Sequence, residues 1–223
     1  MIQSSIIGTI RTIDVEFREH WGGIFKAHPW LDGPEDSYLG FWERGGGAGG
    51  EHSHAINLWQ HFAHFSGFGR VIEVSAMVNY VKQGKANYDD LCLINLRTER
   101  GLVGQVVQDV ITLPPRKRVR VQGTDGAIEW VSSYNAEGDA VLCLIPGRDD
   151  QVHLIPKRRS DDFIEELKHL QAHIEQPKAS SGISLERGLD TMLVVAAAHE
   201  AEQNLSRIQI DFNQGYTLDS LRK

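Results

Sequence analysis

The residues best equipped for proton chemistry stand in one short stretch, GGGAGGEHSHAINLWQHFAHF, residues 45–65. It passes from six residues of almost pure glycine through Glu51, His52 and His54 into a segment carrying Asn57, His61 and His64. Imidazoles titrate near neutral pH, and a neighbouring carboxylate accepts hydrogen bonds from hydroxyls. Such a set can move a proton or hold a polar ligand. Three readings compete: a dinucleotide-binding turn, a metal site, and the ligand-facing start of a helix in a larger catalytic fold.

Gly45, Gly47 and Gly50 satisfy G-x-G-x-x-G, a helix follows, and Glu73 lies some twenty residues on. That fingerprint needs a buried parallel strand running into the first glycine, so that the helix N-terminus meets the pyrophosphate. The preceding LGFWER has Glu43 and Arg44 where the strand needs apolar residues, and Glu51 would repel a pyrophosphate. No β-α-β-α alternation follows. The metal reading draws on Glu51, His52, His54, His61 and His64, but no H-E-x-x-H spacing is present, and solvated or core-capping histidines explain His61 and His64 more simply. The third reading is favoured: glycines let backbone approach a ligand, and the acid and imidazoles at the helix start address its hydroxyls.

The elements around this stretch define its setting. Residues 10–18 alternate, with Ile13, Val15 and Phe17 on one face and Asp14, Glu16 and Arg18 on the other, a strand with one buried side. Gly8 marks a turn before it, and Ser4–Ser5 suggests a segment leading in. Residues 19–44 form an irregular loop rich in aromatics (Trp21, Trp30, Tyr38, Phe41, Trp42) with His20 and His28. A loop of that length in a compact domain is often functional; its alternative is an aromatic-anchored surface loop. Residues 54–66 carry helical periodicity, with Ala55, Leu58, Phe62 and Phe65 on one side.

Strand signals then dominate: 71–81, 90–99, 102–113, 118–123, 127–133, 140–146 and 151–156, with short connections that impose mostly antiparallel pairing. Two helices follow. Asp162 and Glu165 suggest a capping box ahead of the stripe Phe163, Leu167, Leu170, Ile174. Ser184 caps 185–203, where Leu189, Met192, Val195, Ala196 and His199 line one side. IQIDF (208–212) returns as an edge or final strand. The expected class is α+β, a large mostly antiparallel sheet with helices packed on one face, spanning 1–223 as a single domain.

Bulk properties narrow the function classes. The 223 residues are 41% apolar and 24% charged with net charge −7, which disfavours nucleic acid and anionic membranes as partners. The basic run Arg116, Lys117, Arg118, Arg120 alternates with valine and reads as the solvated face of a sheet edge. Cys92 and Cys143 sit in apolar strands and are expected reduced. No apolar run approaches the ~20 residues of a membrane span, and the N-terminus lacks a charged-then-apolar signal pattern, so a cytoplasmic location is expected.

The stretch GGGAGGEHSHAINLWQHF resembles the substrate-side helix motif of the Gfo/Idh/MocA family of NAD(P)-dependent oxidoreductases, in which glycines precede [D/E]-x-G-x-H-x-x-D-L. The likeness continues through SSIIGTIRTIDVEF, DDLCLINLRTERGLVGQVVQD, RVRVQGTDGAIEW and the two closing helices. The resemblance implies the C-terminal domain of that family, of the dihydrodipicolinate-reductase-like or glyceraldehyde-3-phosphate-dehydrogenase-like type. It implies His54 as the active-site histidine that polarises or deprotonates the reacting hydroxyl, with Glu51 or His52 orienting it. Asn57 falls on the following acidic position, and Arg18, His20 and Trp21 are close enough to select the substrate. Gly50 stands where the family commonly has aspartate, and His52 where it has glycine.

The family's nucleotide-binding first domain, with its glycine-rich turn and Glu-Lys-Pro segment, is expected to be absent from this chain. Neither cofactor nor metal is therefore assigned to it, and NAD or NADP is implied for a complete enzyme. The implied partners are a small sugar or polyol, other copies of the chain through the sheet, and a Rossmann domain, for which a separate chain is one source. Two rivals stay open: a non-catalytic binding or scaffold module, and a metal-dependent lyase or isomerase using His52, His54 and His61.

Overall fold

Period-two alternation in the first strand sets the architecture. In β1 (Ile10–Arg18), Ile13 and Val15 are fully buried, while Asp14, Glu16 and Arg18 face the opposite, part-exposed side. The computed structural model describes residues 6–158, 160–176 and 181–223. The expectation attached to Ser4–Ser5 lies outside them. β1 is a central strand of a ten-stranded sheet, and it joins two antiparallel meanders. The first is β2 (Val71–Gln83), β3 (Ala86–Thr98) and β4 (Val103–Asp109); the second is β5 (Arg116–Gly123), β6 (Ala127–Asn135), β7 (Gly138–Leu144) and β8 (Gln151–Pro156).

β1 pairs parallel with β4 and antiparallel with β5. The parallel pairing is feasible because everything between Arg18 and Val103 serves as the crossover. The returning strand β9 (Ile208–Ile210) adds to β2, and β10 (Leu221–Arg222) closes that edge. IQIDF is thus the last strand but one, and β8 forms the other edge. The α+β class, with its large and mostly antiparallel sheet, is as expected.

Among the described residues five α-helices accompany the sheet: α1 (Gly22–Ala27), α2 (Gly47–Glu51), α3 (His54–Phe65), α4 (Asp161–Glu175) and α5 (Leu185–Asn204). The stripe expected on α3 faces inward except at its end: Ala55 is in the core and Leu58 and Phe62 pack against it, whereas Phe65 is 51% exposed. Ile56, Trp59 and Ala63 enter the same core, so the buried side of the helix is wider than the stripe. α5 contributes Val194, Val195, Ala197, Ala198 and Ala201 to the same core, while Met192 turns outward. Ser184 caps α5 as expected, accepting from Arg187 N. At α4 the expected capping box does not form: the helix starts at Asp161, and the Asp161 carboxylate instead accepts from Arg158 N.

Segment 19–44 becomes α1 and three 3₁₀ turns, held by a second small core of Trp21, Leu39, Ala48, Ala86, Tyr88 and Val110. The basic run on β5 is paired with carboxylates: Arg116 and Arg118 both hold Glu16, Arg120 holds Glu129 and Lys117 holds Glu19. Both cysteines are free and buried. Among the described residues, no helix is long and apolar enough to cross a membrane.

Candidate active site

The glycine run builds this site by packing against the protein itself. Gly45 and Gly47 adopt left-handed φ of +82° and +75°, which bends the chain into α2. A Cβ on Gly46 would lie 2.3 Å from Tyr38 O, on Gly47 1.9 Å from Asp89 Oδ1, and on Gly50 1.8 Å from Gly45 O. α2 is then held to two neighbouring strands of the sheet. Asp89, fully buried on β3, accepts from Gly49 N at 2.6 Å, and Gln108 on β4 donates to Ala48 O at 2.8 Å.

These contacts answer whether a dinucleotide fits the run. A pyrophosphate needs free glycine N–H groups and an open approach. Here Gly49 N–H is already spent on a carboxylate, and chain atoms occupy the space a phosphate would enter. The residues do not fit the cofactor.

The α2–α3 junction presents the expected acid and imidazoles, in three distinct environments. Glu51 ends α2 part-buried; burial raises its pKa, Glu19 raises it further, and Lys117 opposes both. His52 is 5% exposed, and its Nε2–H donates to Glu19 O at 3.2 Å. Burial holds His52 below the usual imidazole range, so near neutral pH it is an uncharged support for the end of β1. His54 is exposed and opens α3. Asn57 and His61 follow it at helical spacing on the same face, where Asn57 Nδ2 donates to Thr191 Oγ1 at 3.2 Å. Asn57, Gln60, His61, His64, Ser181 and Arg187 line a cavity of ≈ 250 Å³ between α3 and α5.

The remaining sequence candidates gather where β1 ends. Arg18 Nη1 meets the buried Asp109 at 3.0 Å, and Asp109 also accepts from Thr112 N and Oγ1. His20 is exposed, with Nδ1 accepting from Gly22 N at 2.9 Å. Trp21 is 8% exposed and packs against Tyr88, with ring centroids 4.6 Å apart, so it supports the rim from within the small core. The structure therefore brings the ionisable Glu51, Glu19 and Lys117 together around the neutral His52. It leaves His54 and Asn57 on the next turn, along the α3 face.

Sequence reasoning missed Asp89, Gln108, Glu19 and Lys117 as positioning groups. Asp89 and Gln108 carry a usable signal, since each is a polar residue at the inward phase of an apolar strand. Glu19 and Lys117 carry none, because only the β1–β5 register makes them neighbours. The metal set does not converge. His52 turns inward to a carbonyl, His54 faces out, and His61 stacks near Phe65 with centroids 6.3 Å apart. Among the described residues, no three His, Cys, Asp or Glu side chains could hold an ion. His64 meets the guanidinium of Arg187, which lowers its proton affinity together with burial.

A second buried cluster supports α2 from behind. His199 on α5 is 6% exposed, stacks on Trp42 with centroids 4.9 Å apart, and hydrogen-bonds Tyr80 OH through Nδ1 at 2.8 Å. A Cβ on Gly49 would lie 3.4 Å from its Nε2. Burial pushes His199 from 6.5 down to about 4. Between those values the unfolded chain binds a proton that the folded chain refuses, so acidification disfavours the fold, by about 3 kcal/mol in all. Asp89, raised by burial from 3.8 to about 6, works in the opposite sense over its own window. Substitution isolates the histidine. His199→Asn keeps an acceptor for Tyr80 but does not titrate. In urea unfolding, the wild-type advantage over this variant should shrink steadily from pH 6.5 towards pH 4; parallel pH curves would refute the assignment.

With this geometry in place, comparison with known proteins is informative. The sequence model of the GFO/IDH/MocA C-terminal domain matches residues 1–129. The chain belongs to that family. No curated protein matches it in sequence. Among solved structures it is similar to levoglucosan dehydrogenase in complex with NADH and L-sorbose, with TM-score 0.72 and 17% identity over 93% of this chain and 60% of that one. It is similar too to aldose-aldose oxidoreductase from Caulobacter crescentus complexed with glycerol, with TM-score 0.70 and 16% identity over 94% and 58%. An oxidoreductase from Sinorhizobium meliloti gives 0.69 and 18% over 94% and 59%. At such identities the likeness establishes the fold. The chain spans about three-fifths of the length of these structures.

Proposed function

We propose that this chain of the GFO/IDH/MocA family is the substrate-side and oligomerisation domain of an NAD(P)-dependent sugar or polyol oxidoreductase. The observation that carries the reading is the exposed His54 at the first turn of α3, on a junction held rigid by Asp89 and Gln108. A proton-transfer group needs access to its substrate and a fixed backbone. His54 takes or gives the proton of the reacting hydroxyl. Glu51 orients that hydroxyl from the preceding turn. His52, Arg18 and His20 shape the rim, with Trp21 behind it, and Asn57 continues the polar face.

No residue of this chain is assigned to the nicotinamide, which belongs to a nucleotide-binding domain. Levoglucosan dehydrogenase in complex with NADH and L-sorbose, and aldose-aldose oxidoreductase complexed with glycerol, share this fold and support the substrate class. Further copies of the chain are assigned to the open face of the sheet. There Met77 is 72% exposed and, with Leu91, Leu93 and Val107, lines a broad depression.

The purified chain should give no micromolar binding heat when titrated calorimetrically with NAD⁺ or NADP⁺. Micromolar affinity would place a cofactor site here and overturn this division of labour.

A further inference from the structure

The cavity between α3 and α5 has hydrogen-bonding capacity that the protein does not use on itself. Asn57, Gln60, His61, His64, Ser181 and Arg187 line its ≈ 250 Å³, and none of the described residues lining it carries a carboxylate. Gln60 is only 4% exposed. Its Oε1 accepts from Thr191 Oγ1 at 2.9 Å, whereas its Nε2 has no partner among the described residues. A nearly buried amide that keeps its donors for a cavity is a place for an acceptor.

Charge points the same way. Arg187 donates through Nη1 to His64 Nε2, so His64 is neutral with its proton on Nδ1. The same Nη1 lies 3.4 Å from Asp190, which is buried and also pairs with Arg70. Two guanidiniums thus share one carboxylate. Glu99, the other acid near His64, is exposed and accepts from the Arg70 backbone N–H. The Nε–Nη2 edge of Arg187 makes no hydrogen bond among the described residues. Such an edge offers two parallel donors, which match the two oxygens of a carboxylate. One surplus positive charge suits a monoanion better than a doubly charged phosphate.

An acceptor stands beside these donors. Asn57 Nδ2 is committed to Thr191 Oγ1 at 3.2 Å, which leaves Asn57 Oδ1 to accept from a ligand hydroxyl.

We infer that the α3–α5 cavity binds a small hydroxy acid, its carboxylate on Arg187 and Gln60 and a hydroxyl on Asn57. This site stands apart from the function proposed above. Its walls begin on the turn of α3 after His54, and its occupancy is read without turnover.

Calorimetric titration of the purified chain with D-gluconate tests this, with D-glucose, acetate and inorganic phosphate titrated alongside. Gluconate should bind saturably and more tightly than acetate, which brings the carboxylate alone; glucose should give no heat. Arg187→Gln should weaken gluconate binding by about 10- to 100-fold, the range for hydrogen bonds to a charged group. Because Arg187 also contacts the buried Asp190, a second variant separates lost binding from lost folding. His61→Glu sets a carboxylate on the cavity wall at an exposed side chain. It should abolish gluconate binding with the melting temperature unchanged. Absence of gluconate binding, binding indifferent to either variant, glucose bound as tightly as gluconate, or phosphate bound more tightly would each overturn the inference.

Discussion

His54→Ala, in the enzyme assembled with its nucleotide-binding domain, should lower kcat by about 10²- to 10⁴-fold, the usual worth of a positioned general acid–base. KM for the sugar or polyol should change far less, because the imidazole acts mainly where the hydroxyl proton moves. Stability should be unaffected. His54 is exposed and opens the helix, so its loss leaves no cavity. Steady-state kinetics together with a thermal melt check both halves. An unchanged kcat, or a lowered kcat with a lowered melting temperature, would remove His54 from the chemistry. Glu51→Gln makes the contrast: a residue that orients the hydroxyl should raise KM as well as lower kcat.

Trp59→Ala should cost about 3–5 kcal/mol of folding stability, the range for a fully buried large aromatic. Trp59 has no exposed surface, and its Nε1 donates to Ile13 O at 2.7 Å. That bond ties α3 to the middle of β1. It needs Gly104 on β4, where a Cβ would lie 2.8 Å from Nε1 and 1.9 Å from Ile13 O. Trp59→Phe keeps most of the volume but takes this donor away from the Ile13 carbonyl, which costs about 0.5–1.5 kcal/mol. Denaturant midpoints of the two variants separate packing from hydrogen bonding. Equal losses would mean that the indole N–H contributes nothing. Because β1 leads into Arg18, Glu19 and His20, the Trp59→Phe variant also reports whether that rim depends on α3.

The helix α3 shows how far reading the chain reaches. Ala55, Leu58 and Phe62 meet the core as their spacing suggests, but Ile56, Trp59 and Ala63 enter it too and Phe65 does not. A helix that is apolar over much of its circumference does not announce how wide its buried side will be. α4 shows the reverse case: its stripe is plain in the sequence, yet this fold leaves it uncovered. Patterning specifies that a face will be buried and is silent about the partner.

What the sequence determined by itself rests on local rules. Strand alternation, short connections and a helix cap led to an α+β domain with a large antiparallel sheet, and motif order led to its family. His54 as the exposed residue at a helix start was legible in the same way, since it depends on the chain immediately around it. Only the tertiary structure decided how Glu51 and His52 are tuned. Their environment comes from Glu19 at the end of β1 and Lys117 on β5, nearly a hundred residues apart in the chain. It also reassigned the glycines, from space for a ligand to space for Asp89 and neighbouring carbonyls. Contacts of that range are set by sheet register and close packing, which have no local signature in the chain.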